Sequence, residues 1–391
     1  MKGKMVVVRK KKPLPDLMEE AQLRELQFGD CVIQPIQTRR YPCIYWSSTK
    51  KCDAPGSVRD VEADLRAKWA KASSEERKKL ERPCSSVKEE CPLYEYPAPY
   101  IPEYDEFFVL DEEKAETIAY ALKHNDNLLI YGPPGCGKSS LALQILSLLN
   151  WGTTRFSCSE ETSRSQIIGQ WVVRGDEMVW IDGHVTHAMR NGHILLEEES
   201  DFMRPELRGE LHTVMEKKGT LVLHGTHPKT GQVFRQLIEK HAQFRWISTA
   251  NTTGLGDDKF LYHGTQMQNA ASRDRYEVMM EMDYPDHDTE IEIVTKKANA
   301  ALKESGDTRK VEPPIIGSMI RVANLVRQAF AQGTTNFPFT IRRTISWAKY
   351  FVAKGPEDGT RLAVMNFCSR ADKIVVGNFV ETEMNIRVEN K

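Results

Sequence analysis

Beyond about position 110, apolar residues fall into short runs separated by longer stretches in which they recur every three or four positions. The short runs read as buried strands and the longer stretches as amphipathic helices. Their alternation predicts an α/β core: a mostly parallel sheet with helices on both faces. Five strands are expected, over residues 127–131, 154–158, 193–197, 244–250 and 276–282. Two further pairs of apolar runs, at 171–181 and 220–234, enclose the turn residues Arg174-Gly175-Asp176 and Pro228-Lys229-Thr230-Gly231. These read as hairpins inserted on the sheet. Past Pro285 the periodicity turns helical, best over 315–330 and 341–353, which predicts a smaller helical lid domain. The expected division is therefore 1–100, 101–288 and 289–391.

The first hundred residues follow a different pattern. They hold five of the eight cysteines and lead into YPAPYIPEYDEF, a linker or strapped-down extended segment. Within them, 61–80 has Leu65, Trp69 and Ala72 at helical spacing, a helix with one narrow apolar stripe. Composition changes this picture little. With 391 residues, 40% hydrophobic and 28% charged, the chain suits two or three soluble globular domains. No apolar run approaches the roughly 20 residues that span a bilayer. The basic start MKGKMVVVRKKK has too short an apolar run for a secretory signal, so a cytoplasmic location is expected. A formal net charge of −1 gives no global attraction to nucleic acid or anionic membrane. The cationic residues Lys2, Lys4, Arg9, Lys10, Lys11 and Lys12 read as a solvated arm, with contact to phosphates or an acidic partner as the alternative.

The sharpest chemical signal is Gly132-Pro133-Pro134-Gly135-Cys136-Gly137-Lys138-Ser139, directly after the strand LLIY and directly before the helical run SLALQILSLL. This is a G-x-x-x-x-G-K-[ST] phosphate loop in its proper context. Its glycines let backbone N–H groups converge on phosphate, and the following helix turns its positive end to the same anion. Lys138 would neutralise the β and γ phosphates of ATP. Ser139 would hold Mg²⁺, and Ser140 continues the contact surface. Cys136 inside this loop argues for reduced thiols rather than a disulfide scaffold.

Hydrolysis also needs an acid near Mg²⁺ and a group that activates water. The run ILLEEESD supplies candidates, either Glu197 with Glu198 or Glu198 with Glu199. The second pair is favoured, Glu198 ordering the metal's water shell and Glu199 activating water, because Asp201 then completes a D/E-E-x-D pattern. Glu stands where Asp is usual, which leaves metal geometry and turnover rate open. A solvated acidic strand end is the alternative.

The phosphate loop, the acidic strand and TAN at Thr249 to Asn251 together resemble the AAA+ superfamily. The stretch TANTTGLGDDKFLYHGTQMQNAASRDRYEVMMEMDY is more specific and is similar to the CobS subunit of cobaltochelatase, within the MoxR-like branch. SQIIG, WIDGHVTHAMRNG, RRTISWA and MNFCSRAD extend the likeness over roughly residues 101–385. The resemblance implies that Asn251 orients the attacking water. It implies that Arg275 is an arginine finger reaching a neighbouring subunit's nucleotide, with Arg273 as rival. It implies that Arg343 couples the lid to nucleotide state, with Arg342 competing. It implies a homo-oligomeric ring, expected to be hexameric, and hairpins facing the pore or a partner. It also implies a large partner of CobT type carrying a von Willebrand A domain, with which CobS drives cobalt insertion.

Among the early cysteines, Cys43, Cys52, Cys84 and Cys91 form two loose pairs whose four thiolates would satisfy tetrahedral Zn²⁺; Cys31 is a substitute ligand. Buried, unligated cysteines fit the spacing equally well. Three functions remain beside a CobS-like motor: a MoxR-type chaperone acting on another protein, a nucleic-acid-dependent ATPase using the basic and cysteine-rich region, and a nucleotide-gated scaffold that barely turns over.

Overall fold

The structure, a computed structural model, describes residues 26–28, 31–33 and 100–388, apart from 175–176, 227–230, 232 and 257–263. The four paired cysteines and the helix expected over 61–80 lie outside the described residues. Of the first hundred, the description covers a small antiparallel hairpin, β1 (Leu26–Phe28) and β2 (Cys31–Ile33), and the single residue Tyr100. The hairpin's backbone lies beside helix α1 (Glu112–His124).

The core is a five-stranded parallel sheet. β3 (Leu128–Tyr131), β4 (Thr153–Ser157), β7 (Ile194–Glu198), β10 (Arg245–Ala250) and β11 (Val278–Glu281) lie in the order β11-β3-β10-β7-β4. All five expected strands are present, with ends shifted by one or two residues. Two hairpins stand outside the sheet, β5 (Gly169–Arg174) with β6 (Glu177–Asp182) and β8 (Thr220–Thr226) with β9 (Val233–Glu239), as their turn chemistry predicts.

Strand alternation divides the burial between two faces. Ile194 and Leu196 of β7 join Leu128, Ile130 and Ile247 against α1 and α2 (Lys138–Leu148). Leu195 and Trp246 face the other way, into a core with Val185, Ala188 and Met189 of α3 (His184–Asn191) and Leu221, Leu223 and Ile238 of the second hairpin. Because both faces are covered, the strands read as continuous apolar runs rather than alternating ones.

The remaining chain is helical: α4 (His287–Glu304), α5 (Pro313–Ala331), α6 (Ile341–Lys354), α7 (Pro356–Ala363) and α8 (Arg370–Met384). Each start has a local cause. Asp286 caps α4 by accepting from the Asp288 and Thr289 amides, prolines open α5 and α7, and Thr340 and Ser369 cap α6 and α8. Their apolar faces close on Ile320, Val326, Trp347, Val376 and Val380, a core separate from those of the sheet. No helix among the described residues is long and apolar enough to cross a membrane.

The proline-rich segment before α1 is a strap. The Thr153 amide donates to Tyr100 O at 2.7 Å, and the Asp105 amide donates to Gln144 Oε1 of α2 at 3.0 Å. Lys297 of α4 meets the Asp105 carboxylate at 2.6 Å, so one aspartate joins strap, phosphate-loop helix and lid.

Candidate nucleotide site

The loop 132–137 leaves the C-terminal end of β3 and enters α2 through Gly137. A Cβ at Gly132 would lie 1.8 Å from Met282 O, and one at Gly135 would lie 2.5 Å from the Thr340 Cβ. Those positions therefore demand glycine, because the Met282 backbone just past β11 and the Thr340 side chain at the lid press on the loop. Helix α2 has no side-chain cap at its N-cap and no acid in its first turn, so its leading N–H groups and positive end are directed at whatever occupies the loop. Ser139 is half-buried and Ser140 exposed in that first turn. Cys136 is buried, its thiol donating to Met282 O at 3.6 Å, and burial pushes its pKa up. It is a packing residue in the thiol form.

Beside the loop lies a cavity of about 650 Å³, lined by Phe108, Val109 and Leu110 of the strap, Gly135 to Gly137, Ser140 and the lid residues Ile341, Arg342 and Ile345. A nucleoside fits such a volume with apolar walls for a base and the loop for phosphates. Tyr284 fixes the loop from the hinge side, its hydroxyl donating to Pro134 O at 2.7 Å. The Arg327 guanidinium lies 3.8 Å from the Tyr284 ring centroid and pairs with buried Glu290 at 2.7 Å.

Lys138 is the centre of the site. Its Nζ donates to Gly132 O at 2.7 Å, Pro133 O at 2.9 Å and Asn251 Oδ1 at 3.1 Å. Burial holds its pKa below the ordinary lysine value, opposed by the negative charges of Asp201 and Glu199. Asn251 is positioned in turn by Asp201, whose Oδ2 accepts from the Asn251 amide at 3.0 Å, the Thr252 amide at 3.1 Å and the Thr252 hydroxyl at 3.2 Å. Desolvation raises the Asp201 pKa, with these hydrogen bonds opposing.

The three consecutive glutamates have three separate environments. Glu197 is fully buried and accepts from Arg208 at 2.8 Å, the Ser248 hydroxyl at 2.7 Å and Trp246 Nε1 at 3.3 Å. Its charge is neutralised inside the core, with Arg208 raised in pKa in return and the neighbouring Tyr276 phenol pushed up to about 12 by burial. Glu198, on the opposite face of β7, pairs with Arg155 of β4. Glu199 is exposed just past the strand, in a left-handed backbone conformation (φ 54°) that only the surrounding structure sustains. The Ser157 hydroxyl donates to its carboxylate at 3.4 Å. Lys138, Asn251, Asp201 and Glu199 therefore converge at the C-terminal edge of the sheet, while Glu197 is turned away from them.

The arginines divide similarly. The Arg275 carbonyl accepts from Asn127 Nδ2 at 2.8 Å, placing Arg275 at the start of β3, the opposite end from the phosphate loop. Its guanidinium donates to His212 O at 3.2 Å and Ala271 O at 2.6 Å. Arg343 donates to Ala363 O at 3.3 Å and stacks 3.5 Å over the centroid of Phe367, both within the lid. Its neighbour Arg342 lines the 650 Å³ cavity. Ser157, Arg155, Tyr284 and Thr340 were not anticipated, since a hydroxyl or aromatic near an element's end carries no signal of what it touches. Among the described residues no group of three or more His, Cys, Asp or Glu is arranged to hold a metal.

A phosphate loop between strand and helix, an acidic strand end and a polar residue closing the adjacent strand, beneath a helical lid, define an AAA+ nucleotide-binding protein. Residues 127–266 match the AAA domain of the dynein-related subfamily. The aerobic cobaltochelatase subunit CobS of a Sinorhizobium species is 28% identical over 303 residues, covering 76% of this chain and 87% of that protein. Protein NorQ of Paracoccus denitrificans is 28% identical over 199 residues, covering 51% of this chain and 65% of that protein. These likenesses support a CobS/MoxR-like AAA+ ATPase.

Proposed function

We propose that the chain hydrolyses ATP to ADP and phosphate as one subunit of a six-membered ring. The observation that carries this reading is the placement of Lys138, Asn251 and Glu199 at one end of the sheet and Arg275 at the other. An arginine at the far end cannot serve its own phosphate loop, and a ring brings it to the next subunit's. Lys138 meets the terminal phosphates, Asn251 orients the attacking water and Glu199 takes its proton. Arg275 of the adjacent copy stabilises the charge developing on the transferred phosphoryl group. Ser139 and Glu198 would hold Mg²⁺, which would supply neutralisation of phosphate charge. Glu198 would do so at the expense of its pairing with Arg155, whose side chain is 45% exposed.

The work done by hydrolysis follows from the likeness to CobS. We assign the ring the role of a motor that acts on a partner of CobT type, with a von Willebrand A domain, to drive metal chelation or remodelling. ATPase assays on wild type beside Glu199→Gln test the chemistry, and equal slow rates would refute a motor. Affinity capture with ATP-held Glu199→Gln tests the partner. Recovery of a von Willebrand A-domain protein supports the reading. Recovery of an unrelated client, or DNA-stimulated hydrolysis that falls with salt, overturns it in favour of a chaperone or a nucleic-acid motor.

A further inference from the structure

Three buried polar atoms without hydrogen-bond partners, Asp201 Oδ1, Gln268 Oε1 and Arg273 Nε, belong to residues lining one and the same small cavity. Its volume is about 20 Å³, above the roughly 10–15 Å³ needed for one water and far below that of any organic ligand. Buried polar atoms left bare are rare, and three around one space point to a shared partner.

The chemistry selects that partner. A cation is repelled by the guanidinium groups of Arg273 and Arg208, which both line the space, and an anion is repelled by the Asp201 carboxylate. A water molecule donates to Asp201 Oδ1 and Gln268 Oε1 and accepts from the Arg273 N–H. All three atoms are satisfied, with the three bonds typical of buried water.

The neighbours of this site give it a consequence. Asp201 uses its other oxygen to hold the Asn251 and Thr252 amides, and Asn251 holds Lys138. Gln268 is fixed by donating to Met203 O at 2.8 Å and to Gly254 O at 2.9 Å. Arg273 ends the short helix Ala270–Arg273, and the carbonyl of Ala271 in that helix accepts from Arg275.

Resting on the ATPase reading above, we propose that Arg273 is an internal positioning residue. Through one buried water on Asp201 it ties the segment bearing Arg275 to the hydrolytic loop of its own subunit. The position of Arg275 in the neighbour's site is thereby reported to Asn251 and Lys138 behind it. The two arginines then do different work, Arg275 across the interface and Arg273 within the subunit.

Mixing experiments separate these roles. If wild type neither assembles nor hydrolyses ATP, it is the ATPase reading that fails. If it does both, Arg275→Ala mixed with Glu199→Gln regains activity, because some interfaces unite an intact Glu199 with an intact Arg275. Arg273→Ala mixed with Glu199→Gln stays at the sum of the separate rates, since the damaged loop and the intact glutamate share a subunit. Recovery in that mixture overturns the proposal. Arg273→Lys, which keeps charge and bulk, guards against misfolding. Both Arg273 variants should bind fluorescent ATP as wild type does while the Hill coefficient for hydrolysis falls toward one. An unchanged Hill coefficient with unchanged rate refutes the link. A high-resolution crystal structure of the nucleotide-bound ring should show one solvent atom bonded to all three side chains. Arg273 extended into the adjacent subunit's site would refute it.

Discussion

Lys138 Nζ and Asn251 Oδ1 lie 3.1 Å apart, joining the helix that follows the glycine-rich loop to the residue just past the end of β10. Replacing each should separate binding from chemistry. Lys138→Ala removes a charge at the phosphate loop and is expected to lower ATP affinity about a hundredfold or more. Asn251→Ala should leave affinity close to wild type and lower kcat about tenfold to a hundredfold, as expected when water is misplaced by an ångström. Calorimetric titration beside steady-state kinetics checks both, and a kcat unaffected by Asn251→Ala would remove it from the mechanism.

Glu197 and Glu199 are two residues apart and should behave as opposites. Glu197→Gln breaks a fully buried pair with Arg208 and is expected to cost about 3–5 kcal/mol of stability, read as a lower Tm. Glu199→Gln should leave Tm unchanged or raise it, because the strained position is exposed, while hydrolysis falls about a hundredfold or more. Scanning calorimetry and ATPase rates on the two variants give a double dissociation, and swapped effects would reassign the acidic pair.

Arg342 and Arg343 differ by one position on α6 and face different surroundings. Arg342→Ala should raise KM for ATP with little change in Tm, because the side chain is exposed along the nucleotide cavity. Arg343→Ala removes the stack on Phe367 and the bond to Ala363 O, and should lower Tm by about 1 kcal/mol equivalent. Kinetics and thermal melts on the pair distinguish a nucleotide contact from a lid brace.

Acid should destabilise the fold through α3 and the start of β7. Burial holds His187 down to about 4 and His193 to about 3, each helped by a neighbouring histidine, against an ordinary 6.5 in the unfolded chain. Below that value the unfolded chain binds more protons, so this stability is complete above about pH 6.5 and is lost as pH falls toward 4 and 3. Between pH 7.5 and 5.5 the loss should be about 3 kcal/mol, a Tm decrease of several degrees. The double variant His187→Gln/His193→Gln should flatten that dependence, and an equally steep curve would place the sensitivity elsewhere.

The parts of this protein legible in its sequence are those fixed by local backbone chemistry. The phosphate loop declares itself because glycines, lysine and serine must occur at set spacings between strand and helix. The hairpins are visible because turn residues interrupt apolar runs. What the sequence left open was in each case a choice between adjacent or nearly adjacent residues: Glu197 or Glu199, Arg342 or Arg343, Arg273 or Arg275. Such neighbours have the same chemistry and differ only in direction, and direction is set by packing. Glu197 is claimed by Arg208, eleven residues on, because β7 presents it to the opposite face of the sheet from Glu198. Arg343 is claimed by Phe367, whereas Arg275 is set at the far end of the sheet from the phosphate loop and Arg273 lines the space beside Asp201. Strand alternation and helix phase turn each side chain toward one environment, and only the folded chain contains the distant groups that make those environments differ.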